Sequence, residues 1–145
     1  MPPSSLWAGN PKLDNGCEKM TVTPERKTGI ARIGAAFSYS LNGIKETLKT
    51  EAAFRQELLL FGLSLIALYW LPVPFIYKCL LFVVSCLVLI VELINSAIES
   101  VVDLACPDYS LLAKKAKDCG SAAVFVGLLL AGILWALLII HIVWG

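Results

Sequence analysis

Apolar residues along this chain fall into stretches with different periods. Between 29 and 50, Ile30, Ile33, Phe37, Leu41, Ile44 and Leu48 recur every three or four positions, while Arg32, Asn42, Lys45, Glu46 and Lys49 fill the other faces. That spacing predicts an amphipathic helix with a basic polar side. It suits either the membrane interface or the surface of a soluble partner; the apolar blocks that follow favour the interface. Residues 58–71 carry no charge and end at Pro72 and Pro74. Fourteen residues are short for a hydrocarbon core of about 30 Å. The first span is therefore expected at about 52–71, with Arg55 and Glu57 snorkelling or facing protein and Tyr69 and Trp70 at the far interface. A second span is expected at about 75–104, closed by the turn at Cys106, Pro107, Asp108, Tyr109 and Ser110. Residues 111–118 read as a basic loop or as the start of the next helix. A third span is expected at about 118–143, uncharged from 119 to 140. Gly120, Ser121, Ala122 and Ala123 at its base are small enough for close helix packing.

The second span departs from simple apolarity at residues 92–103, ELINSAIESVVD. Glu92, Asn95, Glu99 and Asp103 stand at i, i+3, i+7 and i+11, so on a helix they point into a sector of about 80°. The helix rises about 16 Å between the first and the last. Glu92 therefore lies well inside the membrane relative to Asp103. A carboxylate at that depth is costly and usually marks function. The competing explanation is a polar seam that glues helices together.

Composition agrees with a membrane protein of one small domain: 145 residues, 58% hydrophobic and only 16% charged. A net charge of +1 gives no global attraction to nucleic acid. Residues 1–28 are rich in Pro, Gly, Ser and charge without periodicity, and are expected to form a flexible tail before a membrane domain at 29–145. No early apolar core or small-residue cleavage site precedes the first span, which is expected to direct insertion itself. Eight of the twelve Lys/Arg precede residue 56 and three cluster at 114–117, leaving only Lys78 between the first two spans. The positive-inside rule then places the N-terminus and the 104–118 loop in the cytoplasm and the C-terminus outside. This brings Glu51, Glu99, Asp103, Lys117 and Asp118 to one cytoplasmic level. Cys17, Cys79, Cys86, Cys106 and Cys119 form no CxxC pair, and the single histidine is His141, so they read as reduced and not as a zinc site.

The chain has no phosphate-binding glycine loop, dinucleotide fingerprint, zinc-protease motif or Ser-His-Asp set. What it has is carboxylates with Lys117 and Arg32 or Arg55 near one membrane surface. Carboxylates suit Mg²⁺ that already carries phosphate oxygens, and cationic side chains stabilise a transferring phosphoryl group. A carboxylate held deeper, in apolar surroundings, is suited to act as base toward a hydroxyl, and Glu92 fits. Together these point to phosphoryl transfer from a soluble nucleotide to a membrane-embedded alcohol.

ELINSAIESVVD at 92–103, EAAFRQE at 51–57 and AKDCGSAAV at 116–124 together resemble the small prokaryotic diacylglycerol kinases. The resemblance covers about 30–143, and the AFRQE form is similar to the Gram-negative lipid-kinase branch; undecaprenol kinases are the sister branch. It implies an all-α integral membrane fold, a homotrimer with one surface helix and three membrane helices per subunit, and sites shared between subunits in the bacterial inner membrane. It implies ATP and Mg²⁺ as co-substrate and cofactor, Glu92 as catalytic base, Asn95 as its support, and Glu51 and Glu99 as metal carboxylates. Arg32, Tyr39, Glu51, Glu99, Lys117 and Asp118 would meet ATP. Arg32, Arg55, Gln56, Glu57, Glu92 and Ser121 would meet diacylglycerol. Leu104, Ser110 and Leu41 stand where relatives commonly carry Arg, His and Trp.

Plainer roles compete for single residues. Glu51 and Arg55 suit an i, i+4 ion pair; Asp118 suits the N-cap of the third span; Lys114 and Lys115 suit topology alone. A small channel is the reading from another class. A pore needs polar groups through the bilayer, whereas 79–91 offers only Ser85.

Overall fold

A computed structural model describes residues 29–144; the expected tail, with Trp7 and Cys17, lies outside the described residues. It contains four helices: α1 (Ile30–Thr50), α2 (Ala52–Trp70), α3 (Phe75–Ala105) and α4 (Leu111–Trp144). Each boundary has a local cause. Glu51 alone separates α1 from α2; it is extended (φ −99°, ψ 116°), and its N–H closes α1 on Thr47 O at 2.8 Å. Pro72 and Pro74 stop α2 and pre-set the start of α3. The Leu71 N–H closes α2 on Ala67 O at 3.0 Å, and Tyr77 N–H opens α3 on Pro74 O at 3.1 Å. α3 ends at the residue before Cys106-Pro107, where the ring of Pro107 disfavours helix.

Two expectations change here. The basic segment 111–118 is helical, so Asp118 lies well inside α4 and cannot cap it; the Lys114 N–H instead reaches Ser110 O at 2.9 Å at the true start. Arg55 does not pair with Glu51. Its Nη1 donates to Leu48 O at 3.1 Å and Lys49 O at 3.0 Å, the open carbonyls at the end of α1. A helix C-terminus offers orphan acceptors and a negative dipole end, and these draw the guanidinium more strongly than the one carboxylate at i−4.

α3 and α4 form the principal contact, α2 flanks α3, and α1 touches α2 and α3 sparingly. On α3 the buried line runs Leu81, Val84, Val88, Glu92, Asn95; on α4 it runs Gly120, Val124, Gly127, Leu138. Both follow the three-or-four spacing of helices packed at a shallow angle. Leu68, Leu81, Val84 and Leu138 make the apolar cluster near the α2–α3 turn. At the other end only Gly120 of the four small residues is buried; Ser121, Ala122 and Ala123 are exposed.

α2, α3 and α4 are long and apolar enough to cross a membrane. With 31 and 34 residues, α3 and α4 run about 46 and 51 Å. They outreach a core of about 30 Å, so their polar ends extend past it. Outward residues such as Leu59, Ile66, Val83 and Phe125 are more than half exposed. Such a surface requires lipid or further protein around it. On α1 no residue is buried and Ile30, Ile33 and Phe37 are mostly exposed.

Candidate functional site

The α3 seam changes character partway along. Leu81, Val84 and Val88 face α4 and α2; one turn further the same line presents Glu92, 3% exposed, and Asn95, 8% exposed. Glu99, half-buried, and Asp103, exposed, continue it. The carboxylates of Glu99 and Glu51 repel that of Glu92, and Glu92 in turn repels Glu57. Four carboxylates from α2, α3 and the α1–α2 corner thus share one neighbourhood. The Asn95 Nδ2–H donates to Glu99 Oε1 at 3.1 Å. Across the seam Lys117 of α4 pairs with Asp103 of α3. Lys114 pairs with Asp118 at 2.9 Å on the outer side of α4.

The expected residues are therefore brought together unequally. Glu92, Asn95, Glu99, Asp103 and Lys117 lie along the α3–α4 seam, and Glu51 shares the α1–α3 cavity with Ser96 and Ser100. Arg32 and Tyr39 sit exposed on α1, and no hydrogen bond or ion pair among the described residues ties their side chains to the cluster. Gln56 and Ser121 are exposed, Asp118 is held by Lys114, and the Arg55 guanidinium is spent on the α1 carbonyls.

Two cavities adjoin the cluster. One, of ≈570 Å³, lies between α1 and α3 and is lined by Ser40, Thr47, Glu51, Ser96 and Ser100 among others. It is the more polar of the two. The other, of ≈430 Å³, is an apolar groove among α2, α3 and α4, lined by Leu60, Phe61, Val88, Leu128 and Trp135, with Glu57 at its margin. Glu57 is 7% exposed, and its Oε2 has no hydrogen-bond partner. Ser96 and Ser100 carried no expectation from the sequence, and Trp135, expected only toward the outer end of the third span, had none toward this groove. Ser96 and Ser100 flank the acidic stripe at i, i+4, a signal that was present; Trp135 lies too far along the chain for any local spacing to connect it.

Among the described residues no group of three or more His, Cys, Asp or Glu is placed to hold a metal ion. Glu51 and Glu99 are the two carboxylates expected to hold a metal, and Glu99 accepts a hydrogen bond from Asn95 at 3.1 Å. That donor set fits Mg²⁺, which takes one or two carboxylates and completes its shell with waters and phosphate oxygens.

Residues 38–139 match the family described as prokaryotic diacylglycerol kinase. The diacylglycerol kinase of Escherichia coli K12 is 44% identical over 112 residues, 77% of this chain and 92% of that protein. The diacylglycerol kinase of Pseudomonas aeruginosa is 42% identical over 114 residues, 79% of this chain and 93% of that protein. That of Helicobacter pylori is 38% identical over 112 residues, 77% and 88% of the two chains. The match spans the α1–α2 corner, the acidic seam and the base of α4 alike. With its three spans and this match along most of its length, the chain is a membrane protein that belongs to the prokaryotic diacylglycerol kinase family.

Proposed function

We propose that this protein transfers the γ-phosphate of ATP to the free hydroxyl of diacylglycerol, giving phosphatidic acid and ADP at the cytoplasmic face of the bacterial inner membrane. The observation that carries the reading is Glu92: a carboxylate 3% exposed on the line of α3 that faces α4, one turn from the buried Asn95. Glu92 takes the hydroxyl proton, the freed oxygen bonds to the γ-phosphorus, and the bond to the β–γ bridging oxygen breaks as ADP leaves. Asn95 holds Glu99 in place. Glu51 and Glu99 would hold Mg²⁺, which would supply positive charge to offset that of the phosphates. Lys117 leaves Asp103 for the phosphates, and Asp118, Arg32 and Tyr39 complete the nucleotide contacts. The lipid lies with its acyl chains in the groove beside Glu57 and its head near Arg55, Gln56 and Ser121. α1 rests on the membrane surface, the N-terminus is cytoplasmic and the C-terminus periplasmic, and three copies assemble so that neighbouring subunits complete each site. The relatives above are named for diacylglycerol, which favours that alcohol over undecaprenol.

The test supplies labelled Mg·ATP and offers diacylglycerol and undecaprenol in separate mixed micelles. Label appearing in phosphatidic acid, and faster than in undecaprenyl phosphate, is the expected result. Transfer to undecaprenol alone overturns the substrate; transfer to neither, by folded protein, overturns the reaction.

A further inference from the structure

α3 and α4 meet closely where Asn95 faces Gly120. Gly120 is buried, and a Cβ built on it would collide with Asn95 Oδ1 and lie 3.4 Å from Asn95 Cγ, with the Asn95 Cα at 3.9 Å. The amide oxygen therefore occupies the volume that a side chain at 120 would need. The other end of the amide is committed, since Nδ2–H donates to Glu99 Oε1 at 3.1 Å. A carboxylate only accepts, so the NH₂ must face Glu99 and the oxygen must face Gly120. No donor holds that oxygen: Asn95 Oδ1 is buried without a hydrogen-bond partner. Its place is set by the space at Gly120 and by the amide's own hydrogen bond to Glu99. Seven residues along the same seam, a Cβ on Gly127 would stand 3.6 Å from Val88 Cγ2, an ordinary contact.

We infer that Gly120 is a positioning residue: its missing side chain lodges the Asn95 amide oxygen and, through the Asn95 Nδ2–H, fixes the carboxylate of Glu99. The inference rests on the reading that Asn95 and Glu99 belong to the active site. A methyl at 120 displaces the tip of one side chain and leaves the Asn95 backbone where it is. Function falls while the fold stands.

The experiment compares Gly120→Ala, Gly127→Ala, Asn95→Ala and the double variant Asn95→Ala with Gly120→Ala, each as full-length protein in detergent. It reads Mg²⁺-dependent binding of a fluorescent ATP analogue, turnover of diacylglycerol, and thermal unfolding. Gly120→Ala should weaken Mg²⁺-dependent binding and turnover by roughly tenfold to a hundredfold, the range for groups that orient a metal ligand, with unfolding little changed. Gly127→Ala should match the parent protein. Adding Gly120→Ala to Asn95→Ala should cost nothing more, because the pathway runs through the amide. Parent-like binding by Gly120→Ala, or full additivity with Asn95→Ala, overturns the inference. Should Gly120→Ala fail to fold, recovery of folding in the double variant supports the collision, and continued failure overturns it. Asn95→Ala and Glu99→Gln separate the levels. If both are parent-like in Mg²⁺ dependence and turnover, the reading of the site itself fails; if they are impaired while Gly120→Ala is not, only the positioning role fails.

Discussion

Glu92 and Glu99 share a stripe but differ in burial, and the roles proposed for them differ accordingly. Glu92 is 3% exposed; Glu99 is half-buried and held by the Asn95 amide. A carboxylate facing a nucleotide's metal should fail differently from one facing the lipid hydroxyl. Glu99→Gln is expected to raise the Mg²⁺ concentration needed for half-maximal turnover by roughly tenfold or more, read from a Mg²⁺ titration at fixed ATP; an unchanged titration would remove Glu99 from the metal role. Glu57 is a third case, its Oε2 buried without a partner at the rim of the apolar groove. Glu57→Gln should raise the KM for diacylglycerol and leave the KM for ATP alone; the reverse pattern would detach the groove from the lipid. The stripe itself was legible in the sequence because a 3.6-residue period places 92, 95, 99 and 103 together on any helix. The collision at Gly120 was not, because it depends on how two helices approach, and no spacing within one helix records that.

At the scale of elements, the corner between α1 and α2 is built on one residue pair that local spacing misread. Glu51 and Arg55 have the separation of an ion pair, yet the guanidinium goes back to Leu48 O and Lys49 O. Arg55→Ala should loosen the last turn of α1, costing about 0.5–1 kcal/mol for an exposed charge-assisted cap. Faster hydrogen exchange at 48–51 would report it, with exchange in α3 unchanged. α1 itself exposes Ile33 and Phe37 on one stripe and Asn42 and Lys45 off it. If α1 lies on the membrane, tryptophan replacing Phe37 should emit to the blue and be quenched by brominated lipid, while tryptophan replacing Asn42 should do neither. Equal behaviour at the two positions would take the helix off the interface. The start of α4 was the least legible boundary. Its first turn is polar and basic, which reads equally as loop or helix, and only the ion pair of Lys117 with Asp103 shows what the helical form accomplishes: it carries a cation across to α3.

Across the whole molecule, one interhelical seam serves two purposes. Its apolar half packs α2, α3 and α4 together around Leu68, Leu81, Val84 and Leu138; its polar half holds the carboxylates. Three spans follow from the long uncharged runs, so their number and order were plain in the sequence. Which outward faces meet lipid and which meet further protein was not, since both environments accept the same apolar residues. Assembly as three copies predicts a protein mass three times that of one chain by light scattering in detergent, after subtraction of the micelle; a monomer mass with full activity would place each site within one subunit. The central claim is that the polar half of the seam performs chemistry and does not merely hold helices. The most direct measurement is the turnover of diacylglycerol by Glu92→Gln, an isosteric change that removes the base and keeps hydrogen-bonding capacity. The account predicts a kcat lower by about a hundredfold to ten-thousandfold, with binding of a fluorescent ATP analogue and the detergent-state mass unchanged. A kcat near that of the parent protein would contradict it and leave Glu92 as a packing residue between helices.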